Sequence, residues 1–554
     1  MRPFRILSCL IMILFAMVHA QIADVVFTNA RIWTVDGNKP TADAVAVLVG
    51  RILALGTADE MKKHVGPQTK VIDVKGKRML PGFIDNHTHF LNGGFQLQNV
   101  DLRYAKNEVE FARLIRERAE KYAGRWITGG DWDHDNWPGG NLPTKELIDK
   151  YTVNTPVFVN RYDGHMALAN SNVLRIAGIT RDTPNPPGGT IVRDPKTGEP
   201  TGVLKDEAMS LVYKHIPDPT DQEMLEAARL GLAEARKFGV TSIQDVSSAA
   251  DLRIYQTLKE KGELTARFHC RLPLAQWEHL AATGIKIPFG DEWIRIGSMK
   301  AFADGSLGSS TALFFEPYAS DPSTRGLAMD VVIDGRLEKW ATAADKAGLQ
   351  LSIHAIGDSG NSLMLDLFEK IVRANPAWDR RFRIEHAQHI HPKDFRRYAK
   401  LGVIASVQPY HAIDDGRWAE KRIGHERCET TYPFRSFLDA GVKLSFGSDW
   451  TVAPLNPLLG IYAAVTRRTT DGANPNGWFP KQKISVAEAI EAYTINNAYA
   501  SFEEKDKGSI TVGKLADLVV LSDDILSIDP VKIEHVQVEI TVVGGKVVYE
   551  KAQK

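Results

Sequence analysis

Between residues 80 and 449 the chain alternates short apolar runs with amphipathic stretches. Eight of the runs have the character of buried strands: LPGFIDN (80–86), VTSIQDV (240–246), ARFHCRL (266–272), IRIGSMKAF (294–302), LQLSIHA (349–355), FRIEHA (382–387), GVIASVQP (402–409) and VKLSFGSD (442–449). Helical patterns such as DQEMLEAARLGLAEARKFG and RLEKWATAADKAG separate most of them. Strands that alternate with helices pair in parallel, because the crossover returns each strand in the same direction. Eight such units are what a (β/α)₈ barrel requires, so the expected fold class is α/β with a TIM-like barrel, whose sites form at the C-terminal ends of the strands.

The chain, at 554 residues, is too long for that barrel alone. Residues 22–80 and the C-terminal stretch share a different style, short β-like runs cut by Gly, Asp and Lys turns. Neither block has enough strands for its own core, so one small composite β-sandwich built from both chain ends is expected. Two separate hairpins packed on the barrel are the alternative. The expected organisation is a signal peptide over 1–20, sandwich over 21–79, barrel over 80–505 and the rest of the sandwich over 506–554. A long insertion at 90–239 interrupts the barrel, with an extra strand at TPVFVNR and a hairpin at NPPGGTIVRDPKTGEPTG.

Residues 1–20 read as an address. Arg2 and Arg5 precede ILSCLIMILFAMV, and Val18-His19-Ala20 places small side chains before a cleavage point at Gln21. That apolar stretch is well short of the roughly 20 residues needed to span a bilayer. A periplasmic or secreted protein without a stable membrane anchor is expected. Basic and acidic residues both total 68; losing Arg2 and Arg5 leaves 66 against 68, a net −2, and gives no reason to expect nucleic acid as a partner. A homo-oligomer is compatible with this composition. Cys270 and Cys428 remain after cleavage, too few for a disulfide framework, and their pairing is open.

Five patches at or near strand ends carry the chemistry: His87 and His89 in PGFIDNHTHF, Lys300, His354, His386 and Asp449. Residues i and i+2 of a strand face one side, so His87 and His89 are delivered together. Paired imidazoles suit a borderline cation such as zinc. His87 and His89 would hold one ion, and His354 and His386 a second. Asp449 would bind metal weakly and take the proton of the attacking water. Lys300 as an ammonium would repel a cation; buried and neutral, it can take up carbon dioxide and bridge two metals as a carbamate. If Lys300 instead pairs with Asp304 or reaches solvent, the site holds one metal.

The ordered set PGFIDNHTH, GGDWDHDNWPGG, NRYDGHMALANS, KAFADGSLGSSTA, HAIGD, RIEHAQ, SFGSDW and GKLADLVVL resembles the amidohydrolase superfamily, in particular its family 3 branch that includes N-substituted formamide deformylase. The resemblance covers nearly everything after the signal and implies a metal-dependent barrel with a small composite β-sandwich. It places His165 over the pocket as a substrate contact. Trp132, Trp137, Tyr410, Trp450 and Trp478 fall in or beside expected pocket loops, and Trp132 and Tyr410 are taken as substrate-binding. A second HxH, His389 and His391, precedes Pro392 beyond the strand and is expected to hold no metal. The expected activity is hydrolysis of a linear, non-peptide C–N bond in a small-molecule amide or N-acyl amine. A hydrolase of a cyclic amide, lactone or phosphoester is the alternative, and a non-catalytic binding protein on a decayed barrel is the third reading.

Overall fold

A computed structural model describes residues 21–161 and 165–552; the expected signal peptide lies outside the described residues. Eight parallel strands form the barrel: β1 (Phe83–Thr88), β2 (Val240–Val246), β3 (Arg267–Pro273), β4 (Ile294–Phe302), β5 (Leu351–Ala355), β6 (Arg383–His386), β7 (Ile404–Val407) and β8 (Leu444–Phe446). Each pairs with the next in chain order. Closure occurs at the C-terminal ends, where Asp449 N–H donates to His87 O and His89 N–H donates to Trp450 O, both at 2.7 Å. Gly447 permits this approach, because a Cβ there would stand 2.3 Å from Asn86 Oδ1 and 2.7 Å from His87 N.

The two chain ends meet in one sheet. Arg78–Pro81 pairs antiparallel with Leu518–Leu521, which pairs in turn with Val538–Val543. A four-stranded sheet from residues 25–73 completes the sandwich, and Val25, Phe27, Val45, Ile52, Leu518 and Val520 share its apolar core. The expected boundary at 79/80 cuts a strand, since Arg78–Pro81 belongs to the sandwich sheet and the chain enters the barrel at Phe83.

The insertion is narrower than 90–239. Helix Phe90–Gln98 packs against helix Asp221–Lys237, so both belong to the barrel's own shell. Gly94 makes that contact possible, because a Cβ would lie 2.1 Å from Ala227 O. Between them, five strands from Gly130 to Asp206 form a separate sheet, with Phe158–Arg161 and the hairpin Gly189–Arg193/Pro200–Asp206 at the anticipated places. Cys270 and Cys428 are both buried free thiols. No described helix is long and apolar enough to cross a membrane.

Candidate metal centre

The barrel mouth opens on a cavity of about 400 Å³ whose lining includes His87, His89, His354, His386, His411 and Asp449. Asp449 is the meeting point. Its Oδ1 lies 3.4 Å from His89 Nε2 and 3.7 Å from His87 Nε2. One set of ligand-capable atoms converges from His87, His89 and Asp449, and a second from His386, His411 and Asp449. Both His386 and Asp449 adopt left-handed backbone, with φ of 71° and 56°. Such conformations cost about 1–3 kcal/mol in a non-glycine residue and persist where surrounding structure enforces them. At His386 the turn has a visible result. Alternation would put Glu385 and His386 on opposite faces, yet both reach His87, Glu385 by a hydrogen bond and His386 with ring centroids 5.0 Å apart.

Glu385, fully buried, organises the floor of the site. It accepts from His87 Nδ1 at 2.5 Å, from Ser352 Oγ at 2.5 Å and from Ser406 Oγ at 2.7 Å. Arg271 Nη1 stands 2.9 Å and Arg383 Nε 3.0 Å from its oxygens. Burial opposes its charge, but Arg383 and Arg271 overcome that and hold the carboxyl well below the usual range. Its bond to Nδ1–H leaves Nε2 of His87 with a lone pair directed to the Asp449 side. Burial also pushes His87 down to about 3, His354 to about 4, and His386 well below its ordinary value, so the imidazoles are neutral donors. Asp449 is held low despite its own burial, by the His89 hydrogen bond and then by His87, His386 and His411.

Lys300 is buried on β4, and its Nζ has no hydrogen-bond partner. Asp304, its alternative partner, instead accepts backbone N–H groups of Leu313, Ile356 and Gly357. Burial lowers the Lys300 amine to about 7, with Glu385 opposing and Arg271 assisting the shift. His354 lies beside His386, with ring centroids 4.4 Å apart, but its Nε2 is 3.0 Å from Gly305 O. The histidine converging with His386 and Asp449 is therefore His411, from the first turn of helix Pro409–Asp415 just past β7. Its chain neighbour Tyr410 is the residue expected at the pocket from the sequence. Tyr410 is half-buried and does not line the cavity that His411 lines.

Trp132 is a correction. It is buried within the insertion, its Nε1 donates to Val159 O at 2.9 Å, and its ring packs near Phe111 and Trp137. The insertion's need for its own apolar core claims it, and the cavity-lining tryptophan is Trp418. His165 lies exposed on the insertion, Nδ1 2.9 Å from Asp206 Oδ1, and is absent from the cavity lining. His389 is buried with Nδ1 2.7 Å from Thr431 Oγ1, and His391 Nδ1 accepts from Lys393 N–H; neither joins a convergent set.

The model of the amidohydrolase family matches residues 70–549. The chain belongs to the amidohydrolase family. Within the family's company, it is 40% identical over 545 residues to Protein LONG AFTER FAR-RED 3 of Arabidopsis thaliana, covering 95% of this chain and 92% of that one. It is 29% identical to the N-substituted formamide deformylase of Arthrobacter pascens, covering 96% and 99%. Among solved structures, an uncharacterized metal-dependent hydrolase from Pyrococcus horikoshii superposes with a TM-score of 0.76 at 28% identity, covering 91% of this chain and 99% of that one. The amidohydrolase barrel and its separate sheet domain are thus the architecture of this family member, a hydrolase.

Proposed function

We propose that this amidohydrolase cleaves a linear, non-peptide C–N bond, in an amide or N-acyl amine, with two divalent metals, zinc by preference. The observation that carries the reading is the convergence of four histidines on one carboxylate, Asp449, beside a buried lysine amine without a partner. The donor chemistry fits such ions: imidazole nitrogens and a carboxylate that converge at one cavity. His87, His89 and Asp449 would hold one ion, and His386 and His411 with Asp449 the other, with His354 adjacent. Lys300 would complete the pair as a carbamate: its neutral nitrogen bonds to the carbon of carbon dioxide and one proton is released. When bound, the metals supply Lewis acidity and lower the pKa of water to about 7.

The chain's own groups do the rest. Asp449 accepts the proton of the attacking water at its carboxylate and delivers it to the leaving amine nitrogen. Glu385 fixes the orientation and tautomer of His87 through Nδ1–H. Phe302, Leu307, Ile356 and Trp418 line the cavity with apolar surface and limit the water that competes. That the deformylase relative acts on an N-substituted formamide supports a C–N bond as the target. A basic start followed by a short apolar stretch supports export before Gln21, to the periplasm or beyond.

The test is a screen of purified protein against N-acyl amines, N-acyl amino acids, lactones and phosphoesters, with zinc and bicarbonate supplied. Turnover of an N-acyl amine, lost on chelation and restored by zinc, with two metals per chain by elemental analysis, is expected. Turnover confined to lactones or phosphoesters would overturn the C–N assignment. Fully metallated, active enzyme whose crystal structure shows a bare amine at Lys300 would remove the carbamate.

A further inference from the structure

A second cavity, of about 730 Å³, adjoins the metal-capable one at the C-terminal ends of β3 and β4. It wraps around the end of β4. Successive strand residues point to opposite sides, yet Lys300, Ala301 and Phe302 all line it. Leu274, Leu337 and Trp340 add apolar surface from the β3 exit and from helix Arg336–Lys346. Residues 327–331 complete the lining, pinned where Met329 N–H donates to Ala303 O at 2.9 Å. Phe302 is the wall common to both cavities. Its ring centroid lies 5.3 Å from that of His354, and Lys300 Nζ stands 4.4 Å from the ring.

Around this mouth, large apolar side chains stand in water. Phe302 is 42% exposed, Met329 37%, Leu327 62% and nearby Ile333 73%. Scattered exposed apolar residues need no explanation, but several grouped at a concave site beside a catalytic cavity mark a binding surface. The charges nearby do not select an ionic ligand. Arg336 donates to Asp334 at 2.7 Å, Lys300 is buried with its Nζ over the Phe302 ring, and Asp330 is exposed at the rim.

We propose that this second cavity is the subsite for an apolar alkyl or aryl arm of the substrate, which crosses Phe302 while the C–N bond sits at Asp449. The proposal rests on the amide-hydrolase reading and narrows its substrate class to N-acyl amines with a sizeable neutral hydrocarbon group. A concave surface that shares Phe302 with the cavity of the reacting site favours this occupant over a membrane or a second copy of the chain, either of which would meet a broad convex face.

The experiment uses the zinc-loaded enzyme and two homologous series of linear N-acyl amines, one lengthened in the acyl chain and one in the amine chain. Along one series kcat/KM should rise about fourfold per added methylene, the gain from burying one CH₂, before levelling off. Leu327→Arg at the rim and Ala328→Trp in the lining should each flatten that rise by tenfold or more between the shortest and longest members. In parallel, binding of the long-chain amides to metal-free protein is followed by tryptophan fluorescence, with Trp340→Phe identifying the signal from the cavity. Chain-length dependence lost in both variants, with a Trp340 response, supports the subsite. Turnover indifferent to chain length, or a rise that both variants retain, overturns it while leaving amide hydrolysis intact. If no amide is turned over, the functional reading fails on its own, and the subsite then stands or falls on the Trp340 response.

Discussion

The sandwich and the barrel fill their interiors by opposite means. Inside the composite sandwich, Phe27, Val45, Ile52, Leu518 and Val520 exclude water with hydrocarbon alone. The barrel axis instead carries Asn86, Gln244, Arg271, Ser352, Arg383 and Glu385, all buried and cross-linked by hydrogen bonds and ion pairs. Barrel interiors are ordinarily layers of branched apolar side chains. A buried charge network contributes little net stability compared with apolar packing, and removing one member is costly. The barrel's interior is therefore better understood as support for the site above it, and the sandwich as a source of stability. That division can be broken experimentally.

The largest effect is expected at the top of the network. Asp449→Asn keeps the shape of the side chain but removes the proton acceptor, so kcat on an N-acyl amine should fall by about 10²–10⁴-fold. Circular dichroism should remain that of the parent. Near-normal turnover in this variant would mean that another group moves the proton.

One level down, Glu385→Gln should damage both stability and the site. Arg271 and Arg383 lose the charge they share, which for a buried pair costs about 3–5 kcal/mol. His87 loses its fixed tautomer, and zinc affinity should drop about 10–100-fold, measured by competition with a chromogenic chelator. Leu518→Ala in the sandwich should cost about 2–5 kcal/mol through the cavity it leaves. Its kcat per folded molecule should nevertheless match the parent. If Glu385→Gln changed only stability, or Leu518→Ala lowered kcat, the two interiors would not divide as described.

The same contrast explains what the sequence discloses. Each of the eight strands lies within a few residues of its expected span, because each keeps apolar residues for its helix-covered face and has turn residues at its ends. The sandwich strands were equally legible, and the meeting of Arg78–Pro81 with Leu518–Leu521 follows from each end lacking a partner. The polar axis left no such pattern. Glu385 in RIEHAQ looks like a residue alternating away from His386 until the left-handed turn at His386 is known. His411 stands past a strand, on a short helix, where no periodicity signals that it points into the mouth. A histidine two residues after the Gln408-Pro409 that ends β7 was the available clue. Trp132 failed for the converse reason: an insertion large enough to form its own sheet needs its own aromatic core.

The smallest effect concerns a buried histidine outside the charged network. His389 is among apolar neighbours, with its ring centroid 5.1 Å from that of Phe314, and it faces Thr431 and Gln388. Burial first, and then Arg427, lower its folded-state value from 6.5 to about 3. The folded protein thus keeps His389 neutral down to about pH 3, while the unfolded chain takes up a proton below about 6.5. Where the unfolded state binds more protons, stability rises with pH, so this histidine's contribution is fully present above 6.5 and lost as pH falls toward 3. His389→Gln keeps a polar partner for Thr431 and removes the titration. Urea unfolding at pH 7, 6 and 5 should then give a shallower loss of stability in the variant, by at most one proton's slope of about 1.4 kcal/mol per pH unit. Equal slopes in the two proteins would show His389 already protonated when folded, and its surroundings would then have more in common with the barrel axis than with the apolar core.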